Sequence, residues 1–118
     1  MTLIDGDALR GHLETLILSV LRRGNAHGFE ILHRLEAAGS GALSLNEGSI
    51  YPALYRLESA GLISGAWEIN DAPKRKPRKG PPRRVYRLTA KGKRRLDQAR
   101  GEFEQFVTLI GGILGAAT

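Results

Sequence analysis

The sequence predicts a mainly α fold with one small β-hairpin, arranged as a winged helix-turn-helix with an added C-terminal dimerisation helix. Three observations predict it. Before Gly61, apolar residues recur at steps of three and four in three successive stretches, the spacing of amphipathic helices. After Gly61 the period shortens into two β-type runs around a stretch rich in Pro, Gly, Lys and Arg. A last, longer stretch then returns to helical spacing.

Leu9, Leu13, Leu16, Ile17, Val20 and Leu21 line one face of a first helix, with Asp7 as its N-cap and Gly24-Asn25 as its stop. A second helix is expected from about His27 to Ala38, burying Phe29, Ile31, Leu32 and Leu35, until Gly39-Ser40-Gly41 breaks the chain. The third helix lies within Asn46 to Ala60 and buries Ile50, Ala53, Leu54 and Leu57. Pro52 constrains its start. Ser49 as N-cap places the proline in the first turn, whereas Asn46 as N-cap requires a kink. Gly61 ends this helix, where a C-terminal glycine belongs.

Leu62 to Asn70, with Ile63, Trp67 and Ile69, and Val85 to Leu88 are the two strands. Asp71 to Arg83 forms the loop between them, and Thr89 caps a final helix from Ala90 to about Ala116. Residues 1–89 are therefore read as the winged helix-turn-helix, with the wing over about 62–89. Residues 90–118 form the C-terminal dimerisation helix.

Charge sorts along the chain. Lys74, Arg75, Lys76, Arg78, Lys79, Arg83, Arg84, Arg87, Lys91, Lys93, Arg94 and Arg95 follow one another with no acidic residue among them. The rest of the chain holds six basic against twelve acidic residues, within a net charge of +6. A solvated surface intersperses its signs. Segregation of this kind makes a positive field suited to a polyanion, with counterion release supplying free energy. Four prolines, Pro73, Pro77, Pro81 and Pro82, stiffen the loop and reduce the entropy lost on ordering it. The loop itself has no aromatic residue for base stacking, so double-stranded DNA fits better than single strands.

In a helix-turn-helix the second helix of the pair enters the major groove by its N-terminal part. With Ile50, Leu54 and Leu57 toward the core, Ser49, Pro52, Arg56 and Ser59 face outward and Tyr51 and Tyr55 flank them. Arg56 has the donors for guanine O6/N7 or a phosphate, and Ser49 for a phosphate or a base edge. Lys74, Arg75, Lys76, Arg78 and Lys79 of the wing, with Arg83 and Arg84 at its root, are placed over the minor groove or backbone. Arginine in an A·T-rich minor groove adds shape readout.

Gly28-Phe29-Glu30-Ile31, the run Ser49-Ile50-Tyr51-Pro52-Ala53-Leu54-Tyr55-Arg56-Leu57-Glu58, Gly61-Leu62-Ile63, and Tyr86-Arg87-Leu88-Thr89-Ala90-Lys91-Gly92 resemble the PadR family of bacterial transcriptional regulators. The resemblance spans roughly Leu13 to Leu96. It implies a dimeric, repressor-type winged helix whose third helix and wing contact operator DNA. The single short C-terminal helix is similar to that of the family's smaller subgroup. One departure is the segment Asp71 to Arg84, longer and more basic than the usual short Gly-Arg wing. A larger sequence-independent backbone contribution follows from it.

Leu96, Ala99, Phe103, Phe106, Ile110 and Ile113 are spaced as an a/d heptad seam, the geometry in which helices pair. A helix from Ala90 to Ala116 measures about 40 Å at 1.5 Å per residue, longer than so small a domain needs for itself. Gly111, Gly112 and Gly115 each lower helix propensity by about 1 kcal/mol and suit either fraying of the helix end or, as favoured here, close backbone approach across an interface. The family resemblance also implies that some members bind small aromatic or hydrophobic ligands at the dimer interface, which leaves room here for a small hydrophobic effector. Trp67 lies in the first wing strand, so a tryptophan-lined pocket there is not supported; Phe103 and Phe106 are left either to pack the core, the favoured reading, or to line a smaller pocket.

Other chemistries find little to use. No cysteine is present, which removes disulfides and thiolate metal sites. His27 and His33 are six residues apart, not the three or four that place two ligands on one helix face, and His12 is remote from both. No phosphate loop, nucleophile elbow or carboxylate pair appears, so neither enzyme activity nor a cofactor is expected. Met1 to Arg10 lacks a signal-peptide core, and the apolar run Phe106 to Ala117 is about half the ~20 residues a membrane span needs. A cytoplasmic protein is expected. Two other binding classes fit the same charge: a winged-helix module for an acidic protein partner, and a basic RNA-binding domain.

Overall fold

A computed structural model describes residues 4–5, 9, 11–68 and 83–115. In chain order the elements are β1 (Ile4–Asp5), α1 (Leu13–Arg23), β2 (Ala26–His27), α2 (Gly28–Ala38), β3 (Leu43–Ser44), α3 (Glu47–Ser59), β4 (Ile63–Trp67), β5 (Arg84–Leu88) and α4 (Ala90–Leu114). The fold is a winged helix-turn-helix followed by a long helix, as the periodicity predicts.

Apolar stripes of α1, α2 and α3 meet in one core. Ile17, Leu18 and Leu21 of α1, Ile31, Leu32 and Leu35 of α2, and Ile50, Ala53, Leu54 and Leu57 of α3 are buried there. Ile63, Tyr86 and Leu96 close it from β4, β5 and α4. Burying a Leu or Ile side chain stabilises the fold by about 1.5–3 kcal/mol before chain entropy is counted.

Several boundaries differ from expectation. Helix α1 starts at Leu13 rather than near Leu9, because Leu9 sits in a turn whose carbonyl accepts from the His12 and Leu13 amides. Gly11, at φ +88°, redirects the chain before the helix begins. Asp7, the expected cap, lies outside the described residues. Phe29 was expected in the core; it is 53% exposed and packs edge-on to His33, with centroids 4.4 Å apart. Its position in the first turn of α2 points it off the buried stripe of Ile31, Leu32 and Leu35.

Helix α3 takes the Asn46 start and not the Ser49 one. The Asn46 side chain accepts the Ser49 amide at 3.1 Å, satisfying one open N–H of the first turn. Pro52 then lies inside the helix. Its missing N–H would have reached the carbonyl of Gly48, an exposed residue that water can serve. At the other end the Leu62 amide donates to the Leu57 carbonyl and the Gly61 amide to that of Glu58, both at 3.0 Å. With Gly61 at φ +76°, this is a Schellman stop.

The wing strands pair antiparallel, with Gly65 opposite Tyr86 and Trp67 opposite Arg84. The first strand is shorter than expected, ending at Trp67, and the second begins one residue earlier, at Arg84. Two small pairings escaped the periodicity altogether. Ala26 and His27 add an antiparallel third strand beside β5, and Ile4–Asp5 runs parallel to Leu43–Ser44. Two-residue strands carry no alternation that a sequence could display.

Thr89 caps α4 as expected, its hydroxyl accepting the Gly92 amide at 3.0 Å. The helix ends at Leu114, two residues before the expected limit, with Gly115 left-handed at φ +76° as the cap.

Candidate nucleic-acid interface

Helix α3 turns one face wholly to the core and leaves the other open. Tyr51, Pro52, Tyr55, Arg56 and Ser59 are exposed, Tyr55 at 75% and Tyr51 at 46%. Tyr51 is the better anchored: its ring lies over Gly28, where a Cβ would stand 2.8 Å from Cε1. Ser49 is only half-exposed, and its amide is committed to the Asn46 cap, with its hydroxyl 3.5 Å from the same oxygen. Tyr51, Tyr55, Glu58, Ser59, Arg84 and Tyr86 line an open groove of about 560 Å³ between α3 and the wing strands.

Two cations on this side are held by carboxylates. Arg56 Nε donates to Glu14 Oε1 of α1 at 2.6 Å, with Arg56 still 60% exposed. Arg84 is bonded to Glu58 of α3, which raises the guanidinium pKa above its ordinary value. Burial pushes the Tyr86 hydroxyl up, against the pull of the Arg84 charge. Residues read as outward-facing from α3 and the wing thus also tie the domain together.

A second set of ionic contacts lies at the start of α2. His27, the N-cap residue, stands between Glu30 and Glu68, with Nε2 3.2 Å from Glu68 Oε2. Its backbone amide donates to Glu30 Oε1 at 3.1 Å. That bond is the main reason the Glu30 carboxyl sits below its ordinary value, with the nearby His27 and Arg34 adding to it.

Of the wing cations, Lys74, Arg75, Lys76, Arg78 and Lys79 lie outside the described residues. Arg83 is exposed, and its carbonyl accepts the Glu68 amide at 2.7 Å, one step beyond the β4–β5 pairing. Sequence reasoning did not find Glu14, Glu58 or His27 as partners of the interface. Each pairing joins residues between 26 and 42 positions apart or adds a contact to a local cap, so no spacing rule signals it.

The expected seam of α4 divides in two. Leu96 and Ala99 are buried within the chain itself, at 1% and 8% exposure, so they are core residues of the single chain and not a free surface. Beyond them the helix leaves the domain. Phe103, Phe106, Val107, Leu109, Ile113 and Leu114 are 48–75% exposed, and Ile110 is half-buried. Phe103 packs against His12 and Phe106, with centroids at 5.5 and 6.5 Å. A groove of about 380 Å³ runs between α1 and α4, lined by Leu9, Leu16, Leu96, Ala99 and Phe103 with His12 and Arg100 among its polar residues. Among the described residues no His, Asp and Glu cluster could hold a metal ion, and no helix is long and apolar enough to cross a membrane.

Comparison with known proteins agrees with this architecture. The model of the transcriptional regulator PadR-like family matches residues 17–98. A transcriptional regulator from Clostridium thermocellum is 27% identical, with a TM-score of 0.77 over 90% of this chain and 96% of that one. A PadR family transcriptional regulator from Eggerthella lenta is 29% identical, with a TM-score of 0.75 over 92% and 86%. A PadR-like transcriptional regulator from Bacillus cereus is 30% identical, with a TM-score of 0.70 over 92% and 96%.

Proposed function

Since the chain belongs to the PadR-like family of transcriptional regulators, we propose that it is a cytoplasmic, sequence-specific DNA-binding repressor acting as a homodimer on a two-fold operator. The observation that carries this reading is the open face of α3 beside the root of a wing rich in cations. A helix buried on one side and bare on the other, next to such charge, suits a major groove flanked by phosphates.

Tyr51, Pro52, Tyr55 and Arg56 are the groove-facing residues, with Ser49 at the edge of that face. Arg56 supplies the guanine or phosphate contact once it leaves Glu14, an exchange of one exposed ion pair for another. Lys74, Arg75, Lys76, Arg78, Lys79 and Arg83 supply backbone contacts. Arg84 is already paired with Glu58.

The exposed apolar half of α4 supports the homodimer. Phe103, Phe106, Ile110 and Ile113 form one stripe that a second copy of the helix would cover. Pairing fixes the distance between the two α3 helices, which must be about 34 Å to meet successive major grooves. A small hydrophobic effector in the groove between α1 and α4 would bias the crossing of the helices and so that distance.

The decisive experiment selects bound duplexes from a random pool and then measures affinity for the winner against salt. A two-fold symmetric consensus is expected. Affinity should fall by ~10³ or more between about 50 and 200 mM salt if six or more phosphates are contacted. A flat response, or no duplex binding, would instead support an acidic protein partner, and preference for structured RNA an RNA-binding domain.

A further inference from the structure

Arg84 belongs by sequence to the cationic run of the wing, but its side chain does not point where that run implies. From the first residue of β5 it lies across Gly65 of β4, where a Cβ would stand 2.6 Å from Arg84 Nε and 3.0 Å from Cζ. Its guanidinium carbon is 5.3 Å from the centre of the Trp67 ring. It ends on the carboxylate of Glu58 in α3, with Arg84 29% and Glu58 32% exposed. One side chain therefore ties both wing strands to the recognition helix.

Charge explains why the tie should persist on DNA. If Arg84 swung out to a phosphate, the Glu58 carboxylate would be left unpaired beside a polyanion. The fork geometry of the guanidinium, the aromatic stacking and the bare backbone at Gly65 all favour the inward position.

We propose that Arg84 is a positioning residue and not a DNA contact: with Glu58 it sets the angle between wing and recognition helix so that both reach one duplex site. This rests on the DNA-binding reading above, and it moves Arg84 from the group of contacts to the scaffold that aims them.

The test uses the full-length protein with two labelled duplexes of equal length, one recovered by selection and one of random sequence. Arg84→Met, Glu58→Gln, their combination and an Arg83→Met control are compared across a salt series. Arg84→Met and Glu58→Gln should each weaken binding to the selected duplex by about tenfold, mid-range for coupled hydrogen-bonded pairs. The double variant should be no weaker than the poorer single one. The salt slope should stay at the wild-type value for both singles, whereas Arg83→Met should lower it by about 0.9, the value for one lost phosphate contact.

Two results overturn the proposal. One is a salt slope reduced in Arg84→Met as it is in the Arg83 control, which makes Arg84 a phosphate contact. The other is tighter binding of both duplexes by Glu58→Gln, which makes Glu58 only a repulsive charge. Arg84→Lys guards against a folding defect. It keeps the charge, so a contact role predicts near wild-type binding, while the positioning role predicts the same loss as Arg84→Met. A wild-type protein that binds neither duplex would refute the DNA-binding reading itself, an outcome visible before any variant is measured.

Discussion

The backbone of Gly92, in the first turn of α4, presses on the carbonyl oxygen of Leu62 so closely that a Cβ would overlap it. Thr89 seals the same junction: its hydroxyl lies 2.8 Å from the Gly61 carbonyl and 2.9 Å from that of Leu62, while its amide donates to Leu62 at 3.2 Å. The end of α3, the start of the wing and the start of α4 thus meet at one point.

Gly92→Ala should therefore destabilise the protein although alanine favours helices. Leu62 offers backbone rather than a movable side chain, so an overpacking cost of about 1–3 kcal/mol is expected. Thermal unfolding should show a lower midpoint, by several degrees. An unchanged midpoint would mean that the junction has slack.

The distal half of α4 should fail to assemble without failing to fold. Phe106→Asp or Ile113→Asp places a charge on a surface already exposed in one chain, at 54% and 72%. Sedimentation should show monomers with an unchanged far-ultraviolet spectrum. Leu96→Ala should do the reverse, costing about 2–5 kcal/mol of stability through a core cavity.

Arg56→Ala should reduce discrimination between a selected and a random duplex by about 1–3 kcal/mol if Arg56 reads a base. Equal weakening of both would assign it to a phosphate. Glu14→Gln releases Arg56 from its 2.6 Å partner and should tighten binding modestly.

Neutralising Lys74, Arg75 and Lys76 together should weaken every sequence alike and reduce the salt slope by about 2.7, at about 0.9 per contact. A slope that does not change removes that part of the wing from the complex.

Acid should weaken the fold through Glu30. Its pKa is lowered in the folded chain, chiefly by the His27 amide, from an ordinary value of 4.5. A depressed carboxylate stabilises above its unfolded pKa, and that contribution is lost as pH falls through the folded one. Urea unfolding of wild type and Glu30→Gln should therefore differ at neutral pH and converge as the pH falls below the ordinary 4.5 and through the lower folded value.

The sequence alone determined the order of the four helices and the two wing strands, the buried stripes of the three core helices apart from Phe29, the stop at Gly61 and the cap at Thr89. These rest on contacts between neighbours along the chain, which a 3.6-residue period and single cap residues display directly. Only the tertiary structure decided the start of α3, because Asn46 and Ser49 are both competent caps and only the folded chain shows the Asn46 side chain accepting the Ser49 amide. It likewise divided the heptad seam, sending Leu96 and Ala99 inward and leaving Phe106 and Ile113 bare, since a stripe does not say how far along its length the domain reaches. The pairs Arg56–Glu14 and Arg84–Glu58 were also hidden. A charge written in a sequence shows its sign, and only folding shows which opposite charge is brought within reach.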